Sequence, residues 1–385
     1  MRYIPENLYS IQASQFNAVE LPKIQEVRGK DYVKFGNTNL FPQELIEYYN
    51  TSAMHATAVN SITDGVIGEG FAVVGKEYVN QQGERLNEIF EKIALDYVLF
   101  GGYSLNVIWN REGTRISEIY HIPFANVRSG KVDPETDRVE EYYYSVDWKN
   151  ERKNKPVAYK SFDPMDNKKD NASQIFYCFK YQPGNNVYPF PAYIAGLTDI
   201  DVDARVSRFH SQNLKQGLAP SMFLKFNNGI PSEEERKVIY REIENTFAGE
   251  ENAGRFFLSF SEGADKAMQV ETIENANTDI YGAIEERISS RILTAHRITS
   301  PLLLGIKDSA GFSSNAEEIK VSFGHFIGTV VEPKQKKITD SLEYILKFFG
   351  LTVELEVIPS RIVVLEEEQV IEKQIEEDGD STTDQ

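Results

Sequence analysis

The chain contains 385 residues, with 59 Asp and Glu against 41 Lys and Arg, and its formal net charge is −18. This length predicts two or three domains with a substantial core. The acidic balance argues against a protein that holds DNA on a basic surface, because such binding depends on Lys and Arg at phosphates. Cys178 is the single cysteine, which excludes an intrachain disulfide. Apolar runs fall short of the ~18 residues of a membrane-spanning helix.

Negative charge is concentrated at the C-terminus. Residues 366–385 contain six Glu and three Asp against one Lys, a net charge of −8. A segment this polar and free of aromatic residues is predicted to be disordered. The first ten residues, MRYIPENLYS, lack the basic and then apolar layout of a secretory signal, so we expect a chain of the reducing host cytoplasm.

The first third of the chain predicts an arm and two helices. Residues 1–40 are mixed in character, and we expect them to extend along the body or a neighbouring chain. Apolar residues recur at helical spacing from Pro42 to Ile67, which predicts one helix ended by the glycines of Gly65–Gly70. A second helix is predicted over Arg85–Phe100, closed by Gly101–Gly102.

Short runs rich in β-branched and aromatic residues then predict four strands. They span Tyr103–Trp109, Arg115–Ile122, Arg138–Val146 and Gln174–Tyr181. Lys149–Asp170 lies between the last two and holds seven Lys or Arg and four acidic residues, so it is predicted to be a solvated loop.

A long helix follows the boundary at Pro189 and Pro191. Thr198 and Asp201 form an acidic variant of the capping box, and the helix is predicted to continue to about Gln216.

Next comes a predicted β-α-β unit. Its strands are Ser221–Phe226 and Arg255–Phe260, and its helix spans Ser232–Phe247, capped by Ser232 and Glu235. A further helix from about Asp279 is predicted to end at Ser300, because a residue before proline avoids the α region.

The last part of the chain predicts two helices and two β-like runs. Ser314 and Glu317 fit a capping box, and Pro333 is expected to kink or break the helix that they begin. Another helix follows and ends at Gly350. The β-like runs are Leu351–Ile358 and Arg361–Leu365.

The order of these pieces resembles the portal (head–tail connector) protein of tailed bacteriophages. The segments that carry the resemblance are LFPQELIEYYNTSAMHATAVNSITDGVIGEGF, LFGGYSLNVIWNREGTRISEIYHIPFANVR, ILTAHRITSPLLLG, GIKDSAGFSSN and AEEIKVSFGHFIGTVVEP. The resemblance implies an α+β fold in which a small domain is inserted between two long helices, as the portal clip is between the stem helices. We expect the crown helices of that family to be short or absent here.

The resemblance also implies a division into parts. These are a wing over 1–190, a first stem helix over 191–220, a clip over 221–271, a second stem helix over 272–300, a channel (tunnel) loop over 301–315, a long kinked helix with a further helix and a C-terminal β segment over 316–365, and the acidic tail over 366–385.

The implied function is a closed ring, with twelve subunits in that family, at one capsid vertex of the virion. Double-stranded DNA would be packaged and ejected through its channel. The clip would bind the large terminase and later a head–tail adaptor, and the wing would contact the major capsid protein, with no membrane involved.

The resemblance assigns two groups of residues. The channel loop would present Lys307, Asp308, Ser309, Ala310, Gly311, Phe312 and Ser313 to DNA. The clip would present Glu233, Glu234, Arg236, Lys237, Arg241, Glu250 and Glu251 to terminase or adaptor.

The sequence contains none of the common catalytic motifs, which favours a protein that is not an enzyme and has no metal or cofactor. No phosphate-binding loop or GxSxG elbow occurs, and the five His have no zinc-ligand spacing. Asp199–Ala204 lacks the glycine of a calcium loop. Two alternatives stay open: another ring-forming virion or secretion component without DNA transit, and a cytosolic enzyme with an unrecognised site.

Overall fold

The computed structural model describes residues 22–165, 171–215, 222–226, 231–247, 256–260, 278–304 and 316–360. These ranges contain both helices and strands. The α-helices are α1 (Phe41–Thr51), α2 (Ala53–Ile67), α3 (Leu86–Phe100), α4 (Leu197–Lys215), α5 (Glu233–Phe247), α6 (Thr278–Ala295), α7 (Ala316–Phe326) and α8 (Glu332–Phe349). The strands are β1 (Ile24–Glu26), β2 (Val33–Phe35), β3 (Gly102–Trp109), β4 (Ile116–Ile122), β5 (Val127–Ser129), β6 (Val132–Asp133), β7 (Arg138–Val139), β8 (Glu141–Tyr144), β9 (Val157–Ser161), β10 (Ser173–Phe179), β11 (Met222–Phe226) and β12 (Phe256–Phe260).

The largest sheet has six strands in the order β4-β3-β10-β9-β8-β5. Neighbouring strands are antiparallel except β9 and β10, which are parallel. Tyr103, Leu105, Val107 and Trp109 alternate along β3 and are buried in the main core with the helices. Period-two alternation therefore places one face of this sheet against helices, as the strand pattern predicts.

In the first half of the chain α3 packs on this sheet and α1 and α2 pack on α3, and the predicted single helix over Pro42–Ile67 is wrong. Ser52 separates α1 from α2 because its backbone is extended, with φ −101° and ψ 110°. The Ser52 hydroxyl accepts a hydrogen bond from the backbone N–H of His55, so this serine is the N-cap of α2. The predicted helix at Arg85–Phe100 is confirmed, and Gly101 ends it with φ 83°.

Two of the predicted β segments need correction. Lys149–Asp170 is not a loop throughout, because β9 lies within it and pairs with both β8 and β10. The lysines of this segment predicted a loop, although it also contains a short strand in which Tyr159 pairs with Tyr142 of β8. The predicted strand Arg138–Val146 is divided into β7, which pairs with β6 in a separate hairpin, and β8.

The predicted β-α-β unit is confirmed in its described residues. β11 and β12 pair in parallel, with Met222 opposite Phe256 and Phe226 opposite Phe260, and α5 connects them. Ser232 and Glu235 form the expected capping box: the Ser232 N–H donates to Glu235 Oε2 at 2.9 Å, and the Glu235 N–H donates to Ser232 Oγ at 3.4 Å.

Both long helices around this unit are present, with different ends from those predicted. α4 begins at Leu197, directly after a 3₁₀ turn over Ile194–Gly196, so Thr198 lies inside its first turn and is not the N-cap. α6 ends at Ala295 and not at Ser300, because Arg297 adopts a left-handed backbone with φ 62°.

A Schellman motif explains this end of α6. The N–H of Ile298 bonds to the carbonyl of Leu293, and the N–H of Arg297 bonds to the carbonyl of Thr294, both at 2.9 Å. The proline at 301 follows the end of the helix and does not cause it.

The C-terminal helices form one continuous helical path. A π-helical segment, Ile327–Val331, joins α7 to α8, and Pro333 lies in the first turn of α8. At the predicted kink or break, the helix changes its hydrogen-bond register just before Pro333. This proline has no N–H to donate. α8 buries Ile338, Leu342, Ile345 and Leu346, and Gly350 ends it with φ 97°.

The structure describes only part of the N-terminal and C-terminal segments. Of the predicted β-like runs, 351–358 contributes one isolated bridge, Val357 to Phe71, and no strand. Arg361–Leu365, the acidic tail and the capping serine Ser314 lie outside the described residues. Within the predicted arm, β1 and β2 form a hairpin.

Candidate functional site

The predicted channel loop can be located only by its flanks. Residues 307–313 lie outside the described residues. Before them, a 3₁₀ turn over Pro301–Leu304 packs against α2 and α7. After them, α7 begins at Ala316. Both flanking elements are therefore attached to the helical layer around α2.

The two long helices that enclose the β-α-β unit in sequence, α4 and α6, pack against each other and against α2. Ile200 on α4 and Ile292 on α6 are fully buried. Arg291 Nε lies 3.4 Å from Asp199 Oδ1, linking the two helices at their surface. Gly196 permits the close approach, because a Cβ at this position would lie 2.5 Å from the Cβ of Ala295. In sequence, the small domain is thus inserted between the C-terminal end of α4 and the N-terminal end of α6, and these contacts join the opposite ends of the two helices.

A buried polar cluster lies where α2 meets the end of α6. His55 Nδ1 and His296 Nε2 are 2.9 Å apart, and both residues are buried. The ring of Tyr193 stacks on His296 with centroids 4.7 Å apart, and its hydroxyl donates to the carbonyl of Leu99 at 2.6 Å. Burial lowers the pKa of His55 to about 4. Burial, together with the charges of His55 and Lys334, holds the pKa of His296 well below its usual value.

Both imidazoles are therefore neutral near pH 7, one donating to the other. Ser52 extends the cluster to α4, since its hydroxyl donates to Asp203 Oδ2 at 2.6 Å. Neutral, enclosed groups of this kind fix the packing of helices and are out of reach of a substrate.

The predicted clip residues that the structure describes all lie on α5. Glu233, Glu234, Arg236, Lys237 and Arg241 are exposed. Lys237 Nζ lies 3.2 Å from Glu233 Oε1, and Arg236 Nε donates to the carbonyl of Pro231 at 3.0 Å. Glu250 and Glu251 lie outside the described residues. The helix therefore presents an exposed surface with charges of both signs.

Sequence reasoning missed a group of cations at the start of α8. Lys334 and Lys337 lie on one face of the helix, and the charges of Lys180 and Arg297 act on Lys334. We call these four side chains the basic surface. Its signal in the sequence is the run KQKK directly after Pro333. Burial, followed by the charges of Lys180 and Arg297, lowers the pKa of Lys334 to about 8.

The described residues give little support for a catalytic function. No group of three His, Cys, Asp or Glu within them is placed to hold a metal ion. Burial raises the pKa of the Cys178 thiol, so this cysteine is a poor nucleophile. None of the described helices is long and apolar enough to cross a membrane.

Solved structures with a similar fold come from gene transfer agent (GTA) particles. A chain in the virion of the native GTA particle is 16% identical, with 89% of this chain and 90% of that chain covered and a TM-score of 0.56. A chain in the neck of the native GTA particle, computed with C12 symmetry, is also 16% identical, with coverages of 86% and 89% and a TM-score of 0.54.

A weaker similarity is to an HK97 family phage portal protein from Corynebacterium diphtheriae, at 12% identity, with coverages of 77% and 88% and a TM-score of 0.44. No protein-family model and no curated protein matches the chain. The fold assignment rests on the GTA chains. This chain has the fold of a protein of the GTA virion and neck, and the predicted α+β architecture is confirmed.

Proposed function

We propose that this chain is the portal protein of a tailed phage or a related particle. It forms a closed ring at one capsid vertex, and double-stranded DNA enters and leaves through the central channel. The observation that carries the proposal is the near end-to-end match to a chain of the GTA virion, 89% of this chain against 90% of the other. The helix, β-α-β, helix order that suggested a portal from the sequence supports it independently.

A ring follows from head-to-tail contacts that close after a whole turn. The neck of the native GTA particle was computed with C12 symmetry. Twelve copies of a chain with a net charge of −18 would surround the channel with negative charge. Such a wall offers DNA few phosphate partners, which suits a duplex that must slide.

The elements have separate tasks in this proposal. α4 and α6 are the stem helices, and the β-α-β unit is the clip, whose exposed charges on α5 bind the large terminase and then the head–tail adaptor. The wing, built on the six-stranded sheet, contacts the major capsid protein. Residues 307–313 face the channel. Assembly takes place in the host cytoplasm, and the chain has no catalytic role.

Negative-stain electron microscopy with native mass measurement on the same sample tests the ring. We expect about twelve subunits around an open centre, on the basis of the neck symmetry. A compact dimer with a closed pocket would contradict the proposal and favour an enzyme.

DNA transit needs a second experiment. A particle whose portal lacks residues 308–312 is expected to assemble and to fill poorly with DNA. Unchanged filling would reject an active role of the loop. A ring that never restores packaging to a portal-deficient particle would instead favour a structural component without DNA transit.

A further inference from the structure

The basic surface lacks acidic partners in the part of the chain that the structure describes. Within those ranges, none of Lys180, Arg297, Lys334 and Lys337 has a carboxylate within 4.0 Å, although other lysines and arginines do. Like charges repel each other, so an anion bound among these cations lowers their electrostatic energy.

The four residues of the basic surface come from three elements. Lys180 follows the end of β10 and is held there by its backbone N–H, which donates to the carbonyl of Gly101. Arg297 occupies the left-handed position after α6 and is exposed. Lys334 is half-buried and donates to the carbonyl of Val330 at 2.6 Å. Lys337 is exposed, and its positive charge acts on Cys178, two residues before Lys180.

The described chain ends beside the same turn of α8. Gln335 Nε2 donates to the carbonyls of Gly65 and Val66 at 3.2 Å, so this turn packs on the C-terminal end of α2. Ile358 is bonded to the same end, through its carbonyl to the N–H of Glu69 and through its N–H to the carbonyl of Gly70. The residues that follow therefore leave the body next to the turn that carries Lys334 and Lys337.

We propose that the acidic C-terminal segment, residues 366–385, binds the basic surface. The segment has nine carboxylates and one lysine, so its charge is complementary. It is connected to the body by a few residues beyond the point where Ile358 is fixed. At roughly 3.3 Å per residue, even half of the segment reaches about 30 Å, so both its own subunit and a neighbouring one are within reach.

The consequence is that the four cations of the basic surface are neutralised by carboxylates of the same protein. While the segment is bound, other polyanions, nucleic acid among them, are kept away from the basic surface. The proposal depends on charges and geometry within one chain and does not require the ring.

Zero-length carbodiimide cross-linking of the wild-type, full-length chain tests the contact directly. At low salt we expect amide cross-links between Lys180 or Lys337 and the carboxylates of 366–385, identified by mass spectrometry. These cross-links should disappear at ~1 M salt, where the Debye length is about 3 Å. Carboxylates of the segment that cross-link to other lysines, or to none, would overturn the proposal.

Peptide binding gives an independent measurement. The acceptor is a full-length chain in which the nine carboxylates of 366–385 are changed to Gln or Asn, and the probe is a fluorescent peptide with the natural sequence 366–385. We expect saturable binding that weakens at least about tenfold in the background of Lys180→Ala, Arg297→Asn and Lys337→Ala. Asn is chosen at 297 because it tolerates the left-handed backbone.

The matched control carries Lys76→Ala and Lys131→Ala, which remove exposed cations elsewhere on the described surface. Equal weakening in the control would show non-specific attraction and overturn the proposal. Duplex DNA is the competing occupant. If the wild-type chain binds duplex DNA as tightly as the neutralised chain does, the surface accepts phosphates and not the segment, and the proposal fails. Loss of the ring in electron microscopy would contradict the proposed function and leave these outcomes unaffected.

Discussion

His55 Nδ1 and His296 Nε2 lie 2.9 Å apart in a buried contact between α2 and α6. The two residues are separated by 241 positions in the chain, and no spacing in the sequence connects them. The contact ties the first helical layer to the second of the two long helices. Because both imidazoles are held neutral, the contact depends on pH.

The first prediction concerns that pH dependence. Burial lowers the pKa of His55 from 6.5 to about 4, so the unfolded state binds more protons than the folded state between these values. The free energy of unfolding contributed by His55 is therefore present above about pH 6.5 and is lost as the pH falls towards 4. The loss amounts to roughly 3 kcal/mol for His55, at about 1.4 kcal/mol for each pKa unit.

Urea unfolding between pH 7 and 4.5 measures this loss. The matched variant is His296→Gln, whose amide can still donate to His55 but does not titrate. We expect a shallower fall in the free energy of unfolding for this variant. Parallel curves for the two proteins would contradict the prediction.

The second prediction concerns the approach of α4 and α6. Gly196→Ala places a Cβ 2.5 Å from the Cβ of Ala295, so one helix must move. We expect a loss of about 1–3 kcal/mol in the free energy of unfolding and a lower yield of rings. Gly324→Ala on α7 is the control, because no atom lies within 4 Å of its added Cβ. This control should be neutral or stabilise by up to about 1 kcal/mol.

The third prediction concerns Ser52, which interrupts the helix expected over Pro42–Ile67. Its hydroxyl accepts from the N–H of His55 and donates to Asp203. Ser52→Ala removes both bonds, and we expect a loss of about 1–2 kcal/mol, measured by urea unfolding. Ser207→Ala on α4, at an exposed position, should change stability by less than about 0.5 kcal/mol. Equal effects of the two substitutions would argue against the cap.

The fourth prediction concerns Arg128, which is fully buried. Its guanidinium donates to the Oδ1 and the carbonyl of Asn39 and to the carbonyls of Ala125 and Val127, and lies 4.8 Å from the ring centre of Trp148. Arg128→Ala removes these hydrogen bonds and opens a cavity.

We expect Arg128→Ala to cost about 3–5 kcal/mol, measured by thermal and urea unfolding. Arg138→Ala, at an exposed position of β7, is the control and should have little effect. A stable Arg128→Ala protein would show that the wing does not depend on this network.

Most of the architecture could be predicted from the sequence because it depends on local signals. The capping box at Ser232 and Glu235 and the glycines at 101 and 350 are effective within one turn of chain, and the structure has helix ends at each. The order of elements, which suggested the portal resemblance, follows from such signals. The predictions were wrong where a contact between residues far apart in the chain determines the local structure. β9 lies in the sheet because β8 and β10 provide its partners, although its own lysines predicted a loop.

Less of the candidate site could be predicted from the sequence. The predicted clip charges are exposed on α5, which periodicity and a cap can indicate, and the loop residues 307–313 remain a prediction. The basic surface was missed because Lys180, Arg297 and Lys334 come from three separate elements. The sequence by itself determined the element types, their order and the acidic balance, since backbone propensity and charge belong to individual residues. Only the tertiary structure decided which side chains meet, because the pairing of His55 with His296, and the gathering of cations without acids, depend on packing between residues far apart in the chain.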